Sequence, residues 1–283
     1  MTLSAQSILD FPVPQATHVV TARDAILYAL SVGYGTNALA EKALSYVYER
    51  DLVTAPTLAN IVAHPGPWMQ QTGIDWARLV HSEHRLTIHR PVPLDVPLIS
   101  RSRVLSVVDR GIEKGMFVSF ERLIATVDGD DPIATIVQTN ACRGDGGCGS
   151  AGFVPEPLPK VPDGEPDFEF NVDIPGNAAL IYRLNGDLNP LHVDPQAAGK
   201  SGFDRPILHG LCSFGYAGYA IVAAIDPGMA TGLSAIAARF SAPIFPGETI
   251  TLQIWRNGAE IHFRGLVASR SAIILDNGVA RLS

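Results

Sequence analysis

Two segments of this 283-residue chain resemble each other at a fixed offset of 154 residues. Residues 26–33 align with residues 180–187, and each segment follows a stretch in which apolar and polar residues alternate. Downstream, each half has a proline-rich entry into runs typical of strands, at 90–96 and at 241–248. Because order, spacing and half-length agree, we predict a duplicated chain in which each half repeats the same elements.

A glycine- and proline-rich stretch lies between the two halves. Glycine dominates residues 144–152 and proline dominates residues 155–162, a composition typical of a linker that is first flexible and then stiff. We therefore predict an N-terminal unit over residues 1–150, a linker over residues 151–167 and a C-terminal unit over residues 168–283. Each unit is long enough to bury a core of its own.

The composition is that of a well-buried globular protein, with 47% hydrophobic and 17% charged residues. The net charge of −7 and the lack of any Lys/Arg run give no electrostatic support for binding nucleic acid or an anionic membrane. Three cysteines, an odd and sparse set, favour a reducing compartment without a disulfide framework. The first residues do not resemble a secretory signal, and no apolar run is long enough to span a bilayer. We predict a cytoplasmic protein that binds neither nucleic acid nor membrane.

The segment Tyr-Arg-Leu-Asn-Gly-Asp-Leu-Asn-Pro-Leu-His at residues 182–192 carries the candidate catalytic side chains. Neither regular structure would bring Asp187 and His192 together, because five residues correspond to roughly 140° around a helix and to opposite faces of a strand. The glycine and the proline within the segment permit a bend. A bent segment can direct Asp187, Asn189 and His192 at one point. An acid and a base directed at one water are what the addition or elimination of water requires.

Residues 209–224 are apolar on nearly all sides with small residues interspersed, which predicts a helix buried on most of its surface. The first backbone N–H groups of a helix have no internal partner and favour negative charge. Gly210 has no side chain to block approach, so its N–H could stabilise the oxyanion of an enolate-like transition state. The alternative is that Gly210 only lets the helix pack tightly.

The segment at 182–192 resembles the hydratase-2 motif of the MaoC-like family, the (R)-specific enoyl-CoA hydratases and 3-hydroxyacyl-CoA dehydratases. That motif runs aromatic, small, Gly-Asp-x-Asn-Pro, aliphatic, His, and Asn185 departs from it, where Ser, Thr or Gly is more usual. Residues 202–211 are similar to the family's entry into its central helix. The resemblance implies an α+β double hot-dog fold with two antiparallel sheets, each wrapped around a central buried helix.

The resemblance also implies a reaction, the reversible hydration of a trans-2-enoyl-CoA to the (3R)-3-hydroxyacyl-CoA. Asp187 and His192 would share one water, one taking its proton and the other delivering a proton to C2 of the substrate. Asn189 would orient the water or the thioester, and Gly210 would supply the oxyanion donor. Position 33 holds glycine where the second half has Asp187, and no histidine follows at the matching distance. We therefore expect one active site per chain, in the C-terminal unit.

The same resemblance implies an acyl-CoA thioester as the substrate and a second copy of the chain as the partner. Coenzyme A is part of the substrate, and we expect no other cofactor. Lys200, Arg205 and Arg143 lie in glycine-rich or turn segments and are the candidates for its phosphates, with simple surface solvation as an equal alternative. The family implies a homodimer and a first unit that makes room for the acyl chain, whose length and shape stay open.

Two polar groupings have alternative interpretations, as a metal site and as a structural strand. Asp187 and His192 could ligate a metal with Asp194 as a third ligand, but no tight His/Asp cluster elsewhere supports this, so we predict no metal site. Residues 80–86 are similar to the family's His-Gly-Glu-Gln strand, with Ser82 and a second histidine in place of Gly and Gln. We interpret this second grouping as structural.

Two competing functions remain open at the level of sequence. Hot-dog folds also host acyl-CoA thioesterases, although the Gly-Asp-x-Asn-Pro-x-His run argues against hydrolysis. A non-catalytic partner subunit of a dehydratase would be expected to lack the acid–base pair, which this chain carries in one half. Fold alone could not decide among these functions, so the hydratase hypothesis depends on the site.

Overall fold

The computed structural model describes residues 3–36, 44–129, 131–226 and 232–283. The helices are α1 (Ala5–Leu9), α2 (Ala22–Ser31), α3 (Ala178–Tyr182), α4 (Pro195–Lys200) and α5 (Gly210–Ile225). The strands are β1 (Ala16–Val19), β2 (Leu79–Ile88), β3 (Pro97–Asp109), β4 (Met116–Thr126), β5 (Pro132–Cys142), β6 (Ala151–Gly152), β7 (Phe168–Asp173), β8 (Leu233–Phe240), β9 (Thr249–Asn257), β10 (Glu260–Val267) and β11 (Ala272–Leu282). Short 3-10 turns occupy Pro56–Ile61, Trp68–Thr72, Trp76–Arg78, Arg183–Asn185, Pro190–His192 and Ala268–Arg270.

The described strands form one antiparallel sheet that repeats the same order in each half. The order is β1-β3-β4-β5-β2-β8-β11-β10-β9-β7, with β6 paired to β3. Outward from the β2–β8 junction, each half places its second, fifth, fourth, third and first long strands in turn. The predicted duplication is therefore confirmed by the topology.

Two contacts between the halves join residues that are 154 positions apart, the same offset as in the sequence repeat. His84 pairs with Ala238 within the β2–β8 ladder, and these two positions are 154 residues apart. Asn185 donates a hydrogen bond from Nδ2 to Ser31 Oγ at 3.0 Å, again between residues 154 apart. The two halves are thus related by a pseudo-two-fold axis that passes through these contacts.

The arrangement is an α+β double hot-dog, as predicted, but two details differ from the expectation. The two sheets are joined edge to edge through β2 and β8, which satisfies backbone groups that two separate edges would expose. Only the C-terminal half wraps around a long helix among the described residues. The equivalent part of the N-terminal half forms the two 3-10 turns Pro56–Ile61 and Trp68–Thr72, because Pro65 and Pro67 prevent a continuous helix.

Helix α5 lies in the main hydrophobic core and contacts both halves. Its glycines permit a close approach: a Cβ added at Gly215 would lie 2.5 Å from Val32 Cγ1, and one at Gly218 would lie 3.0 Å from Thr57 Cγ2. Side chains larger than hydrogen would therefore push the first half away from the helix. None of the helices described is long and apolar enough to cross a membrane. The predicted unit boundaries stay a prediction, and β6, at the start of the predicted linker, pairs with the N-terminal half.

Candidate active site

The bent segment is built from two 3-10 turns with a left-handed glycine between them. Arg183–Asn185 ends at Gly186, whose φ of 113° suits a residue without a side chain. The Asp187 carboxylate then accepts the N–H of Asn189 through Oδ1 at 3.2 Å. Asn189 caps the turn Pro190–His192 by accepting the N–H two residues later at 3.1 Å. Local hydrogen bonds therefore shape the segment, and Asn189 supports the turn that carries His192.

His192 is held as a neutral imidazole whose Nε2 has no hydrogen-bond partner among the described residues. Its side chain is only 8% exposed, and Nδ1 contacts the backbone oxygen of Ile207 at 2.9 Å. A carbonyl can only accept, so Nδ1 carries the hydrogen and Nε2 keeps a lone pair. Burial lowers the pKa of His192, although the Ile207 carbonyl and the Asp187 charge oppose this effect. The geometry thus presents Nε2 as a base.

His209 is a site residue that the sequence reasoning did not select. Its ring stacks on His192 with centroids 3.7 Å apart and an interplanar angle of 27°, and its Nε2–H donates to the backbone oxygen of Asp187 at 3.1 Å. Burial, followed by the nearby His192, lowers its pKa to about 4. His209 therefore packs against His192 and anchors the backbone of Asp187. The one sequence signal was its position immediately before Gly210.

Asp187, His192 and His209 offer one oxygen and two nitrogens that all lie within 4.8 Å of one another. Such a donor set could hold a divalent metal in principle. The two ring planes are nearly parallel and 3.7 Å apart, however, so lone pairs in those planes converge poorly on one ion. The arrangement suits proton transfer to and from a shared water better, and the absence of a metal stays a prediction.

Gly210 opens the 16-residue helix α5, with His209 as the preceding cap residue. A Cβ added at Gly210 would lie 3.4 Å from the ring of Phe240, which is ordinary contact. The first N–H groups of the helix have no intrahelical acceptor, and the helix dipole favours an anion at this end. The structure therefore places an unblocked helix N-terminus next to the acid–base residues, while the oxyanion role stays a prediction.

The charge of Asp187 raises the pKa of two histidines of the N-terminal half, against the stronger lowering effect of burial. The ring of His81 on β2 lies 4.7 Å from the ring of Phe240, and burial lowers its pKa to about 3 against the raising effect of the Asp187 charge. His64 responds to the same charge, and its pKa is lowered to about 4. The prediction that residues 80–86 are purely structural did not include the contact between His81 and Phe240. It arises from the pairing of β2 with β8, which no local pattern reveals.

A cavity of about 320 Å³ adjoins Phe240. Its lining includes four cationic side chains, Arg110, Lys114, Arg143 and Arg239. Of the three residues predicted to bind phosphates, only Arg143 lines this cavity. Lys200 ends α4, and the Arg205 guanidinium lies 4.6 Å from the centre of the Phe245 ring. Their roles in substrate binding stay predictions.

Fold and site together define a double hot-dog protein in which Asp187, His192 and His209 cluster at the start of the long helix α5. Residues 158–276 match the family model described as MaoC like domain, and residues 18–144 match that of the MFE-2 hydratase 2 N-terminal domain. The chain belongs to this MaoC-like, hydratase-2 family, and the resemblance seen at residues 182–192 is confirmed.

Individual relatives cover nearly the whole chain. The 3-hydroxyacyl-thioester dehydratase Y of Mycobacterium tuberculosis is 36% identical over 266 residues, covering 91% of each chain. The enoyl-CoA hydratase ChsH3 of the same organism is 33% identical over 285 residues, covering 99% of this chain and 96% of that one. The crystal structure of a MaoC-like dehydratase from Phytophthora capsici has a TM-score of 0.83 with 28% identity, covering 98% of both chains.

Proposed function

We propose that this protein hydrates trans-2-enoyl-CoA thioesters reversibly to (3R)-3-hydroxyacyl-CoA thioesters. Family membership and relatives named hydratase and dehydratase support the reaction class. The observation that carries the proposal is the free Nε2 of His192, fixed by the bond from Nδ1 to Ile207, in one cluster with the Asp187 carboxylate. A base and a carboxylate around one point can hold and activate a single water.

The protons follow from the hydrogen-bond directions. A water held between Asp187 and His192 adds its oxygen to C3 while His192 Nε2 takes one of its protons. Asp187 accepts the other hydrogen of the water and so fixes its orientation. The imidazolium of His192 then delivers its proton to C2, which restores the neutral base. Because both groups lie on one side of the substrate, the addition is syn.

The thioester oxygen gains negative charge as C3 is attacked. The N–H of Gly210 at the start of α5 is the donor proposed to meet that charge, helped by the helix dipole. Losing one such donor typically costs about 10²–10³-fold in turnover. Asn189 acts in this scheme by holding the turn that carries His192 and by orienting the water or the thioester.

The cationic cavity is the proposed site for the phosphates of coenzyme A. Arg110, Lys114, Arg143 and Arg239 concentrate positive charge there, on a protein whose net charge is −7. Phe240 lines this cavity and lies 3.4 Å from where a Cβ of Gly210 would be, which supports placing the nucleotide in the cavity and the thioester at the helix N-terminus. Lys200 and Arg205 are second candidates for contacts farther along the nucleotide.

A spectrophotometric assay tests this function. Purified protein is mixed with crotonyl-CoA and, separately, with a longer 2-enoyl-CoA, and both the enoyl absorbance and free thiol are followed. Loss of absorbance without thiol release supports hydration, and chiral analysis of the product should give the (3R) isomer. Thiol release would indicate a thioesterase instead. No reaction with either substrate would favour a non-catalytic subunit.

We also propose that the protein is a homodimer and that it works in the cytoplasm. Support for self-association comes from exposed leucines on the neighbouring helices α2 and α3 and the turn that follows, namely Leu30, Leu180 and Leu184. Exposed apolar clusters of this kind often mark protein interfaces. Sedimentation equilibrium would test the dimer, and localisation of a tagged chain would test the compartment.

A further inference from the structure

Four cations line the cavity beside Phe240 without an acidic partner. They are Arg110 and Lys114 in the turn between β3 and β4, Arg143 after the end of β5, and Arg239 on β8. All four residues are exposed, and within the described ranges of the chain none of them makes an ion pair. Because like charges repel, the loops that carry three of these cations need other contacts to hold them around one ligand.

Those loops are the hairpin turn (residues 110–115) and the glycine loop (residues 143–150), and they lie directly against each other. A Cβ added at Gly146 of the glycine loop would lie 2.3 Å from the backbone oxygen of Gly111 in the hairpin turn. A Cβ added at Gly115 would lie 2.2 Å from the backbone oxygen of the last residue of β5. No side chain fits at these distances, so glycine permits the two loops to pack backbone against backbone.

Asp109, the last residue of β3, joins the two loops through both oxygens of its carboxylate. Its Oδ1 accepts the N–H of Gly111 at 2.8 Å and that of Gly147 at 3.0 Å. Its Oδ2 accepts the N–H of Gly149 at 2.7 Å, and its own N–H donates to Ser150 Oγ at 2.9 Å. Four hydrogen bonds made by one residue therefore tie the end of β3 and the hairpin turn to the glycine loop.

The charge of Asp109 does not explain its place directly before Arg110. A carboxylate near bound phosphates repels them, so by charge alone an aspartate here weakens the binding of an anion. The backbone N–H groups, that of Gly147 first, lower the pKa of Asp109, so the side chain is ionised at neutral pH and accepts these bonds strongly. Charge and hydrogen bonds therefore predict opposite results of removing the carboxylate: tighter anion binding from the lost repulsion, weaker binding from the released loops.

We propose that Asp109 is a positioning residue for coenzyme A, which joins the hairpin turn to the glycine loop and so sets the spacing of the three cations that these loops carry. Held in this way, Arg110, Lys114 and Arg143 meet the phosphates of the nucleotide together, and Asp109 itself does not touch the substrate. The inference rests on the proposed function, since it takes the cationic cavity as the site of those phosphates.

The test compares crotonyl-CoA with crotonyl-pantetheine, which lacks the nucleotide and its phosphates, in wild type, Asp109→Ala and Asp109→Asn. We expect Asp109→Ala to raise KM for crotonyl-CoA roughly 5- to 20-fold with kcat within about twofold, and to leave kcat/KM for crotonyl-pantetheine within about twofold. Asp109→Asn keeps one acceptor oxygen but points an amide N–H at the N–H of Gly149, so its rise in KM should be smaller.

The matched control is Glu113→Ala, an exposed residue of the same hairpin turn that makes no hydrogen bond or ion pair among the described residues. This variant removes the same negative charge beside the same cavity without releasing a loop. Its KM for crotonyl-CoA should stay unchanged or fall, because only repulsion of the phosphates is lost. Isothermal titration calorimetry with coenzyme A gives a second measurement that needs no turnover, and the Kd should change in each variant as KM does.

The possible outcomes separate this inference from the function itself. An unchanged or lower KM and Kd in Asp109→Ala would show that only its charge matters and would overturn the inference alone. Equal losses with both thioesters would show a general disturbance of the fold and would also overturn it. If the wild type is inactive but binds coenzyme A, and Asp109→Ala weakens that binding, the proposed hydration is wrong and the positioning role stands. A wild type that does not bind coenzyme A would overturn both.

Discussion

The two halves of the molecule share one topology but differ at every position that the chemistry needs. Gly33 stands where the second half has Asp187, and Ala55-Pro56 stands where it has His209-Gly210. The first half therefore lacks the carboxylate and the imidazole that stacks on His192 in the second half. Proline has no N–H, so the donor at the start of the helix is lost as well. The first half has therefore lost all three elements of the site together.

The space equivalent to the active site is filled by aromatic rings. A Cβ at Gly33 would lie 3.0 Å from the rings of both Tyr216 and Tyr219, which project from the middle of α5. Tyr34 packs against Tyr46 and Tyr219 with centroids 4.5 and 5.1 Å apart. One long helix thus serves both halves: its N-terminus faces the acid–base residues, and its tyrosines fill the degenerate site. In the proposed function, the first half instead supplies cations that line the cavity, among them Arg110, Lys114 and Arg143.

The largest expected effect is at the acid and the base of the second half. Asp187→Asn or His192→Ala should lower kcat for enoyl-CoA hydration by about 10²–10⁴-fold, because the first removes the carboxylate that orients the water and the second removes the base that transfers its proton. Asp163→Asn, an exposed change in the linker region, is the control and should behave as wild type. Retention of near wild-type turnover by a folded Asp187→Asn or His192→Ala protein, judged by circular dichroism, would refute these roles.

His209 should show the next largest effect. His209→Phe keeps a ring against His192 but cannot donate to the backbone of Asp187, so we expect kcat to fall roughly 10- to 100-fold. His209→Gln retains an N–H donor and should lose less. The comparison is made by steady-state kinetics alongside thermal unfolding. If both variants keep full activity, the anchoring role assigned to the hydrogen bond is wrong.

Charge reversal at a cation of the cavity tests whether the first half binds coenzyme A without taking part in the chemical step. Arg143→Glu in the first half should raise KM for CoA esters roughly tenfold, by replacing attraction with repulsion of a phosphate, while kcat stays within a few-fold. Arg205→Glu provides the parallel measurement for a residue outside the cavity. A larger KM change in the Arg205 variant than in the Arg143 variant would move the nucleotide site away from the cavity.

The smallest effect on turnover is expected at the degenerate site. Gly33→Asp restores the carboxylate that the repeat lacks, but it forces a side chain into contact with Tyr216 and Tyr219 at a φ of 103°. We expect about 1–3 kcal/mol of destabilisation in urea unfolding, with kcat per folded chain unchanged. Gly111→Ala, at a similar positive φ with open space around it, separates backbone strain from the clash. A second active site appearing in Gly33→Asp would contradict this account.

The duplication and the bend at residues 182–192 could be predicted from the sequence because local patterns encode them. The offset between Tyr28 and Tyr182 revealed the duplication, and their rings indeed lie together with centroids 6.2 Å apart near the pseudo-two-fold axis. The bend that brings Asp187 near His192 depends on Gly186, Asn189 and Pro190, all within one short segment. These features could be predicted because their causes are neighbours in the chain.

The rest was decided by tertiary packing. Nothing local indicated that β2 and β8 would join the two sheets, that His209 would stack on His192, or that the ring of His81 would lie against Phe240. The sequence by itself determined the repeat, the catalytic bend and the long buried helix, since these follow from backbone preferences and apolar periodicity. Only the folded chain determined which imidazoles have a free nitrogen, because that depends on hydrogen-bond partners supplied by distant strands and loops.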